Sequence, residues 1–471
     1  MPSAQAPIIL TAQRSYAYRK YPPFGILYVA GALRKAGFKV KIVHPVKDRP
    51  KAVMEAVKRD KPVFVGLSVI HTPLLSEDIE ISKMLKEAGV PVVWGGIYPS
   101  MVPEIALAAD YVDYVLTGEA ELTAPELADT IASGKRPDRI PGAGYMEDGK
   151  AVVEQCGRFS ENLDNFEPAW DLLKLGEYLE VSEGGASRLM MVPLSRGCPF
   201  RCAFCYNQSN PDRRKYRVHG ADWVLRQVDF LQKRLAANAV RWIGDNPFGK
   251  RRQGMKIIEK VGLPWVAASR IEIINEEFCD WLKRSKCRYL GFGFESGSKK
   301  VLNILNKDVT PEQMERGVRN LDQCGIYASA SWIHLVPHET DEDRRETREF
   351  MDHLHGTYSN IFHDIGGLRP YPGTPIWHDA LKIGMKPPRT NEEWASWQSL
   401  TAPHLGWSDK RLWRLIMATR LLYGRPGSAG RIVPDWLYAL ERRRFLKGMF
   451  RGPVEDRMAK NNKLRPHLVE E

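Results

Sequence analysis

Three cysteines, Cys198, Cys202 and Cys205, stand within eight residues of one another. Thiolates bind iron and zinc, and three on one short loop can fold round a single inorganic cluster. A closed electron-carrier site asks for a fourth protein ligand, and no nearby residue supplies one. The next cysteine, Cys279, lies in a helical pattern beside Phe278, Trp281 and Leu282 and reads as a small buried hydrophobe. A structural zinc site would need another Cys or His at short spacing. A cubane held by three thiolates keeps one iron open, and an open iron can bind a substrate directly, as the open position of catalytic zinc does.

The elements that must carry this loop are legible in the periodicity. From Arg188 to about Pro375, strand-like runs alternate with helical stretches: Leu189–Leu194, Val240–Gly244, Trp265–Ser269, Tyr289–Phe294, Ala328–Leu335 and Ile361–Leu368 are the strand candidates. Between them Ala221–Ala236, Glu276–Lys286, Pro311–Cys324 and Asp341–His355 read as helices. Six such units predict a partial (β/α)6 barrel of TIM type, with its site at the carboxyl ends of the strands. The cysteine loop follows the first of those strands.

Residues 7–130 alternate in the same way, through Pro7–Thr11, Lys39–His44, Val63–Val69, Val90–Trp94 and Tyr111–Thr117. Strands alternating with helices predict a doubly wound, Rossmann-like parallel sheet, which binds ligands at its strand ends. The loops there are Gly95-Gly96-Ile97-Tyr98-Pro99-Ser100 and Gly118-Glu119-Ala120-Glu121. Paired glycines let a large flat ligand approach the backbone, or simply make a tight strand-to-helix turn. The expected organisation is an N-terminal sheet domain over 1–140, a Gly- and Pro-rich linker over 141–186 with a hairpin around Glu147-Asp148-Gly149-Lys150, the barrel over 187–385, and a helical C-terminal region over 386–471 that carries several tryptophans, Trp394, Trp397, Trp407, Trp413 and Trp436 among them.

The 471 residues, 43% hydrophobic and 27% charged, describe a globular chain of two or three domains. No apolar run reaches the roughly 18 residues of a membrane helix, and the first thirty residues lack the order of a secretion signal. A cytoplasmic protein is expected. Seven scattered cysteines are too few for a disulfide scaffold. Lys and Arg exceed Asp and Glu by 69 − 57 = 12, which favours solubility and attraction to anions. The basic run Arg442-Arg443-Arg444-Phe445-Leu446-Lys447 is either a solvated helix end or a contact with a membrane surface or an acidic partner. No RNA-binding module is recognisable, so a nucleic-acid partner is not expected.

The pattern C-x3-C-x2-C after a strand, with Ser195-Arg196-Gly197-Cys198-Pro199 and Cys205-Tyr206-Asn207 round it, resembles the radical S-adenosylmethionine (SAM) superfamily. Further segments appear in that family's order: Gly293-Phe294-Glu295-Ser296-Gly297 at the fourth strand, Pro337-His338-Glu339-Thr340 after the fifth, and Tyr371-Pro372-Gly373-Thr374-Pro375 after the sixth. Two departures stand out. Leu335 and His338 occupy places where the family usually has glycines, and Gly244-Asp245-Asn246-Pro247 fills the place where the amino group of methionine is usually held.

The resemblance implies a 4Fe–4S cluster on Cys198, Cys202 and Cys205, whose open iron takes SAM and yields a 5′-deoxyadenosyl radical when an external electron donor of flavodoxin or ferredoxin type supplies one electron. It implies Phe204 beside the adenine, with packing under the loop as the alternative. Glu295, with Ser296 next to it, would meet the ribose hydroxyls. Ser269 and Arg270 would meet the methionine carboxylate, with a surface ion pair as the alternative for Arg270.

The N-terminal half resembles the cobalamin (B12)-binding domain of one branch of that superfamily, through Pro22-Pro23-Phe24-Gly25-Ile26-Leu27, Gly66-Leu67-Ser68, the double-glycine loop at Gly95 and Gly96, and the segment Val112–Glu121 with Gly118 and Glu119. Ser68, Gly95, Gly96, Gly118 and Glu119 are the implied cobalamin contacts. No Asp-x-His-x-x-Gly occurs, so no histidine presents itself as a lower cobalt ligand; His71 reads as a loop residue. With a corrinoid present, the implied activity is methyl transfer to an unactivated carbon of a small-molecule, lipid or tetrapyrrole-type substrate. Cyclisation or oxidation without methyl transfer is the alternative, and a non-catalytic corrinoid-binding sensor is the alternative of another class. A methylthio-transferring enzyme would want cysteines in the N-terminal domain, and none precedes Cys156.

Overall fold

The computed structural model describes residues 6–14, 20–70, 74–155, 158–181, 187–209, 215–249 and 251–397, with short pieces of the C-terminal region up to residue 447. His71, Cys156, Trp407, Trp413 and Trp436 lie outside the described residues.

The first sheet grows from short β-branched runs. Strands β1 (Ile8–Ala12), β2 (Val40–Val43), β3 (Val65–Ser68), β4 (Val92–Gly95) and β5 (Tyr114–Leu116) are mutually parallel. Helices α1 (Phe24–Lys35), α2 (Arg49–Asp60), α3 (Leu75–Glu87), the short α4 (Ile97–Met101) and α5 (Pro103–Leu107), and α6 (Ala124–Ala132) connect or follow them. Strand alternation splits the core in two: Ile9, Val65, Leu67, Val92 and Trp94 face one helical layer, while Ile8, Leu10, Val93 and Leu116 face the other. The order is β2-β1-β3-β4-β5-β6-β7. The last two strands, β6 (Ala143–Glu147) and β7 (Lys150–Val153), form an antiparallel hairpin, and β6 runs antiparallel to β5 at the edge of the sheet. The segment expected as a linker therefore begins with two strands of the first sheet, and the hairpin sits where its Asp148-Gly149 turn placed it, both residues at positive φ.

The second sheet has the order β16-β15-β14-β13-β12-β9-β8. After the two-residue β8 (Glu180–Val181), strand β9 (Arg188–Pro193) leads to a small ribbon of β10 (Ser195–Arg196) and β11 (Arg217–Val218). Then α7 (Ala221–Leu235), β12 (Ala239–Ile243), α8 (Arg251–Val261), β13 (Trp265–Ser269), α9 (Glu276–Arg284), β14 (Cys287–Glu295), α10 (Lys299–Ile304), α11 (Pro311–Cys324), β15 (Tyr327–His334), α12 (Asp341–Thr357) and β16 (Ile361–Gly367) follow. Strands β9 and β12–β16 are all parallel, which makes the six-unit open barrel. The tryptophans 223, 242, 265, 281 and 332 are buried in the core around this sheet. Helices α11 and α12 start with reciprocal capping boxes, Thr310 with Gln313 and Thr340 with Asp343.

Helices α13 (Pro375–Lys382) and α14 (Asn391–Ser396) then return to the first sheet. Trp377 and Trp394 join its core beside Trp94 and Tyr98, and the buried Asn391 accepts a hydrogen bond from Tyr98 Oη at 2.8 Å. Among the described residues, no helix is long and apolar enough to cross a membrane. Of the basic C-terminal run, Arg442 forks onto the Asp352 carboxylate with both contacts at 2.6 Å.

Candidate active site at the meeting of two sheets

A cavity of about 550 Å³ opens where the carboxyl ends of β1, β3, β4 and β5 face the start of the barrel. Glycines 25, 66, 95, 96 and 118 line its first-sheet side, and Pro193, Gly197, Tyr206, Ile243 and Asp245 its barrel side. Two of these glycines face open space: a Cβ built on Gly25 meets nothing nearer than Ser68 Oγ at 3.9 Å, and one on Gly95 nothing nearer than Leu116 O at 3.8 Å, whereas one on Gly66 would lie 2.7 Å from Leu10 Cδ2. Gly96 is different. Its φ of +99° is one that side-chain-bearing residues avoid, and its Cβ would lie 2.8 Å from Val69 O. Ser100 ties the two glycine loops together, since its hydroxyl donates to Gly96 O at 2.6 Å and accepts from Gly118 N at 2.9 Å.

The cysteine loop hangs from β10 and is braced at several points. Asp245, just past β12, accepts from Gly197 N and from Tyr206 Oη, both at 2.8 Å, and so clips the two ends of the loop. Ala203 N donates to Leu305 O at 2.8 Å, and Ile376 N donates to Ala203 O at 3.2 Å. Cys198, Cys202 and Cys205 are all partly buried and near enough to interact electrostatically with one another. Burial pushes the Cys198 thiol up, and the Cys205 thiol up to about 11. Such groups become thiolates when metal cations take the proton's place. Among the described residues no three His, Cys, Asp or Glu side chains converge as a single ion requires. Three thiols on one braced loop are the donor set that a 4Fe–4S cluster would take.

A buried ionic network joins the two halves beside the cavity. Arg196, two residues before the first cysteine, pairs with Glu121 at 2.6 Å and Glu119 at 3.4 Å, and its guanidinium lies 4.2 Å from the centre of the Tyr28 ring. Arg217 also pairs with Glu119 and donates to Ser160 O at 2.6 Å. Tyr28 Oη donates to His219 Nε2 at 3.1 Å, while His219 Nδ1 donates to Asp164 at 2.8 Å. Burial lowers the His219 pKa, so the neutral tautomer is the natural one, with Nε2 free to accept.

Residues 192–351 match the Radical SAM superfamily model and residues 14–128 match the B12 binding domain model. The chain belongs to the radical SAM superfamily, in its B12-binding branch. It is 29% identical over 371 residues to an uncharacterised methyltransferase of Pyrococcus horikoshii, covering 76% of this chain and 78% of that one. It is 26% identical over 344 residues to the anaerobic magnesium-protoporphyrin IX monomethyl ester cyclase of Rubrivivax gelatinosus, covering 69% of this chain but only 61% of the cyclase. Among solved structures, the radical SAM methyltransferase TsrM of Kitasatospora setae, with cobalamin and a 4Fe–4S cluster bound, superposes with a TM-score of 0.65 at 19% identity, over 80% of this chain and 75% of that one. The cofactors of this radical SAM chain are a 4Fe–4S cluster, SAM and cobalamin.

Of the residues singled out from the sequence, five line the cavity, while Phe204, Ser269, Arg270, Glu295 and Ser296 lie outside its lining. Ser68, Gly95, Gly96, Gly118 and Glu119 line the cavity, and Glu119 is engaged by Arg217 and Arg196. Phe204 packs on the small cluster of Val301, Leu305, Val336, Leu368 and Ile376. Glu295 ends β14 at φ +64° and pairs with Lys307 Nζ at 2.6 Å, both side chains buried. A Cβ on Gly293 would meet the Glu295 carboxylate and approach Lys307 Nζ to 3.0 Å, so a side chain there would have to displace this pair. Ser296 is buried against α12, its hydroxyl 2.9 Å from Thr347 Oγ1. Ser269 keeps a buried hydroxyl with no hydrogen-bond partner among the described residues. Arg270 is no surface ion pair: it is 9% exposed, stacks 3.9 Å over Phe200 and reaches Cys202 Sγ.

Sequence reasoning missed Lys307, Arg217, His219 and Asp164. Only the proximity of Lys307 to Glu295 in sequence hinted at any of these. The two departures from the family pattern resolve physically. Leu335 and His338 both adopt positive φ, +69° and +66°, so this chain takes the backbone that glycine elsewhere makes easy. Asp245 serves as the clip of the cysteine loop.

Proposed function

We propose that this chain is a cobalamin-dependent radical SAM methyltransferase acting on an unactivated carbon of a small-molecule, lipid or tetrapyrrole-type substrate. The observation that carries the reading is the shared cavity: a glycine-lined wall of sheet ends on one side, and on the other Gly197 and Tyr206, which flank the three cysteines. When bound, the cluster and SAM supply a 5′-deoxyadenosyl radical and the corrinoid supplies the methyl group.

The chain's own residues do the positioning. Cys198, Cys202 and Cys205 hold the cluster. Asp245 keeps the ends of their loop together. Glu295 accepts the ribose hydroxyls through the oxygen that Lys307 leaves available. Phe204 backs the adenine, and the Ser269 hydroxyl meets the methionine moiety. Ser68, Gly95, Gly96, Gly118 and Glu119 shape the corrinoid bed, and the absence of side chains there lets a broad ring lie against the backbone. On the adjoining barrel face, Ala268, Gly291 and Ser329 align across neighbouring strands, as do Gly293 and Ser331; such small side chains leave room for a bulky substrate. A donor of flavodoxin or ferredoxin type delivers the electron.

Likeness to the ester cyclase favours a second reading, cyclisation without methyl transfer. Anaerobic incubation with reductant, SAM and hydroxocobalamin, so that every transferred methyl group originates in SAM, separates them by mass spectrometry. Methylation requires both 5′-deoxyadenosine and S-adenosylhomocysteine; 5′-deoxyadenosine alone indicates the cyclase-type reaction. Neither product, from protein that holds its iron, refutes both.

A further inference from the structure

Arg270 lies in an unusual setting. Its guanidinium is stacked on Phe200, inside the cysteine loop, with its central carbon 3.9 Å from the ring centre. All three nitrogens are committed to the protein: Nε to Glu272, Nη2 to Lys307 O at 2.5 Å, and Nη1 to Cys202 Sγ at 3.4 Å. Only 9% of the residue is exposed. A guanidinium keeps its charge in proteins, buried or not. A guanidinium so engaged is not a loose clamp waiting for a carboxylate; it is a fixed positive charge against a cluster ligand.

We propose that Arg270 is a positioning residue that holds a hydrogen bond and a positive charge on the Cys202 thiolate and thereby raises the reduction potential of the cluster. Three observations converge on this role. The donor is aimed at sulfur. The Phe200 ring and the Lys307 carbonyl fix the fork in place, so little rotamer freedom remains. The fork is shielded from bulk water, and a charge so placed acts more strongly than one in the open. Each reduction adds one electron to the cluster, supplied by the external donor. A neighbouring cation favours the more negative state, and hydrogen bonds to cluster sulfurs move the potential in the same direction. The same side chain anchors the carbonyl of Lys307, whose ammonium holds Glu295. The cluster loop and the carboxylate at the end of β14 are thus tied through one backbone segment.

The inference rests on the radical SAM reading, and the experiment keeps the two apart. Anaerobically reconstituted wild type, Arg270→Gln, Arg270→Lys and Phe200→Leu are assayed for iron and titrated with redox dyes under electron paramagnetic resonance. SAM affinity is measured on each from its perturbation of the cluster spectrum. A wild type that holds no cluster sinks the family reading itself. With the wild type loaded, Arg270→Gln is expected to keep its iron, shift the midpoint to more negative potential and leave SAM affinity within about threefold. Arg270→Lys should recover part of the shift, and Phe200→Leu should show a smaller shift of the same sign. If Arg270→Gln loses iron, the Phe200→Leu shift decides. Wild-type potentials in every variant that holds iron overturn the proposal. So does a tenfold or greater loss of SAM affinity at unchanged potential, which would make Arg270 a co-substrate clamp.

Discussion

The pair of Glu121 and Arg196 gives the sharpest stability test, because removing one partner leaves the other largely cut off from water. Glu121 is 6% exposed and Arg196 sits 2.6 Å away, with Glu119 at 3.4 Å as its second carboxylate. Glu119 is shared with Arg217. The native balance is two guanidiniums against two carboxylates; Glu121→Gln leaves two against one. Breaking a buried pair this way costs about 3–5 kcal/mol. Arg196 keeps 22% of its side chain in solvent, and Glu119 still screens it, so about 2–3 kcal/mol is the magnitude to expect. Arg196→Met strands Glu121 and also forfeits the stacking on Tyr28, which adds about 1 kcal/mol. The double variant removes both charges and should cost less than the two singles together, by about 2 kcal/mol. Urea unfolding of the anaerobic holoprotein, read by tryptophan fluorescence at its first transition, supplies the cycle. Lys382→Ala, which breaks an exposed pair with Asp379, is the control and should cost under about 0.5 kcal/mol. If Glu121→Gln costs no more than that control, or the two single costs simply add, the network is not what joins the halves.

Gly96→Ala forces a side chain into a left-handed backbone 2.8 Å from Val69 O; it should cost at least about 2 kcal/mol and lower the cobalamin retained per chain, read by absorbance. Gly293→Ala pushes the Glu295 carboxylate off Lys307 and should weaken SAM binding at least about tenfold, the worth of one charged hydrogen bond, with the iron content unchanged. His338 is exposed at φ +66°, so His338→Gly exchanges about 1–2 kcal/mol of strain for a smaller loss in backbone entropy; denaturation should show a gain of about 0.5 kcal/mol. Burial lowers the pKa of His44 to about 4, below the ordinary 6.5, and burial lowers that of His363 to about 3. Their folded-state pKa values lie below the unfolded ones, so protonation favours unfolding. Their contribution is whole above pH 6.5 and drains away as pH falls toward 4 and 3. Melting temperatures across that window should drop, and less steeply in His44→Gln.

Much of this was readable in the residues because it is local. The β-branched runs fixed five strands of the first sheet, and the six barrel strands lie within about two residues of their observed ends, since each is a short run flanked by its own turn signals. The loop of Cys198, Cys202 and Cys205 announced itself by spacing alone. What escaped was non-local. The network of Tyr28, Glu119, Glu121, Asp164, Arg196, Arg217 and His219 draws on distant segments, and no periodicity records which ionic side chains will meet. The hairpin β6–β7 was visible, but not the edge it would extend. Helices α4 and α5 were missed because Pro99 and Pro103 cut them below the length at which an apolar face repeats. Arg270 was placed at the right strand end, but which neighbour its fork would choose depends on a phenylalanine and a carbonyl that only the fold assembles.

The return of α13 and α14 makes the first sheet's domain discontinuous in the chain. Its hydrophobic interior is completed by Trp377 and Trp394, residues that arrive only after the whole barrel has been synthesised. Excising the N-terminal part at residue 140 would strip away two edge strands and uncover Trp94 and Tyr98, so that fragment should aggregate. A nascent chain likewise has to wait, its corrinoid half unfinished until the barrel has been made.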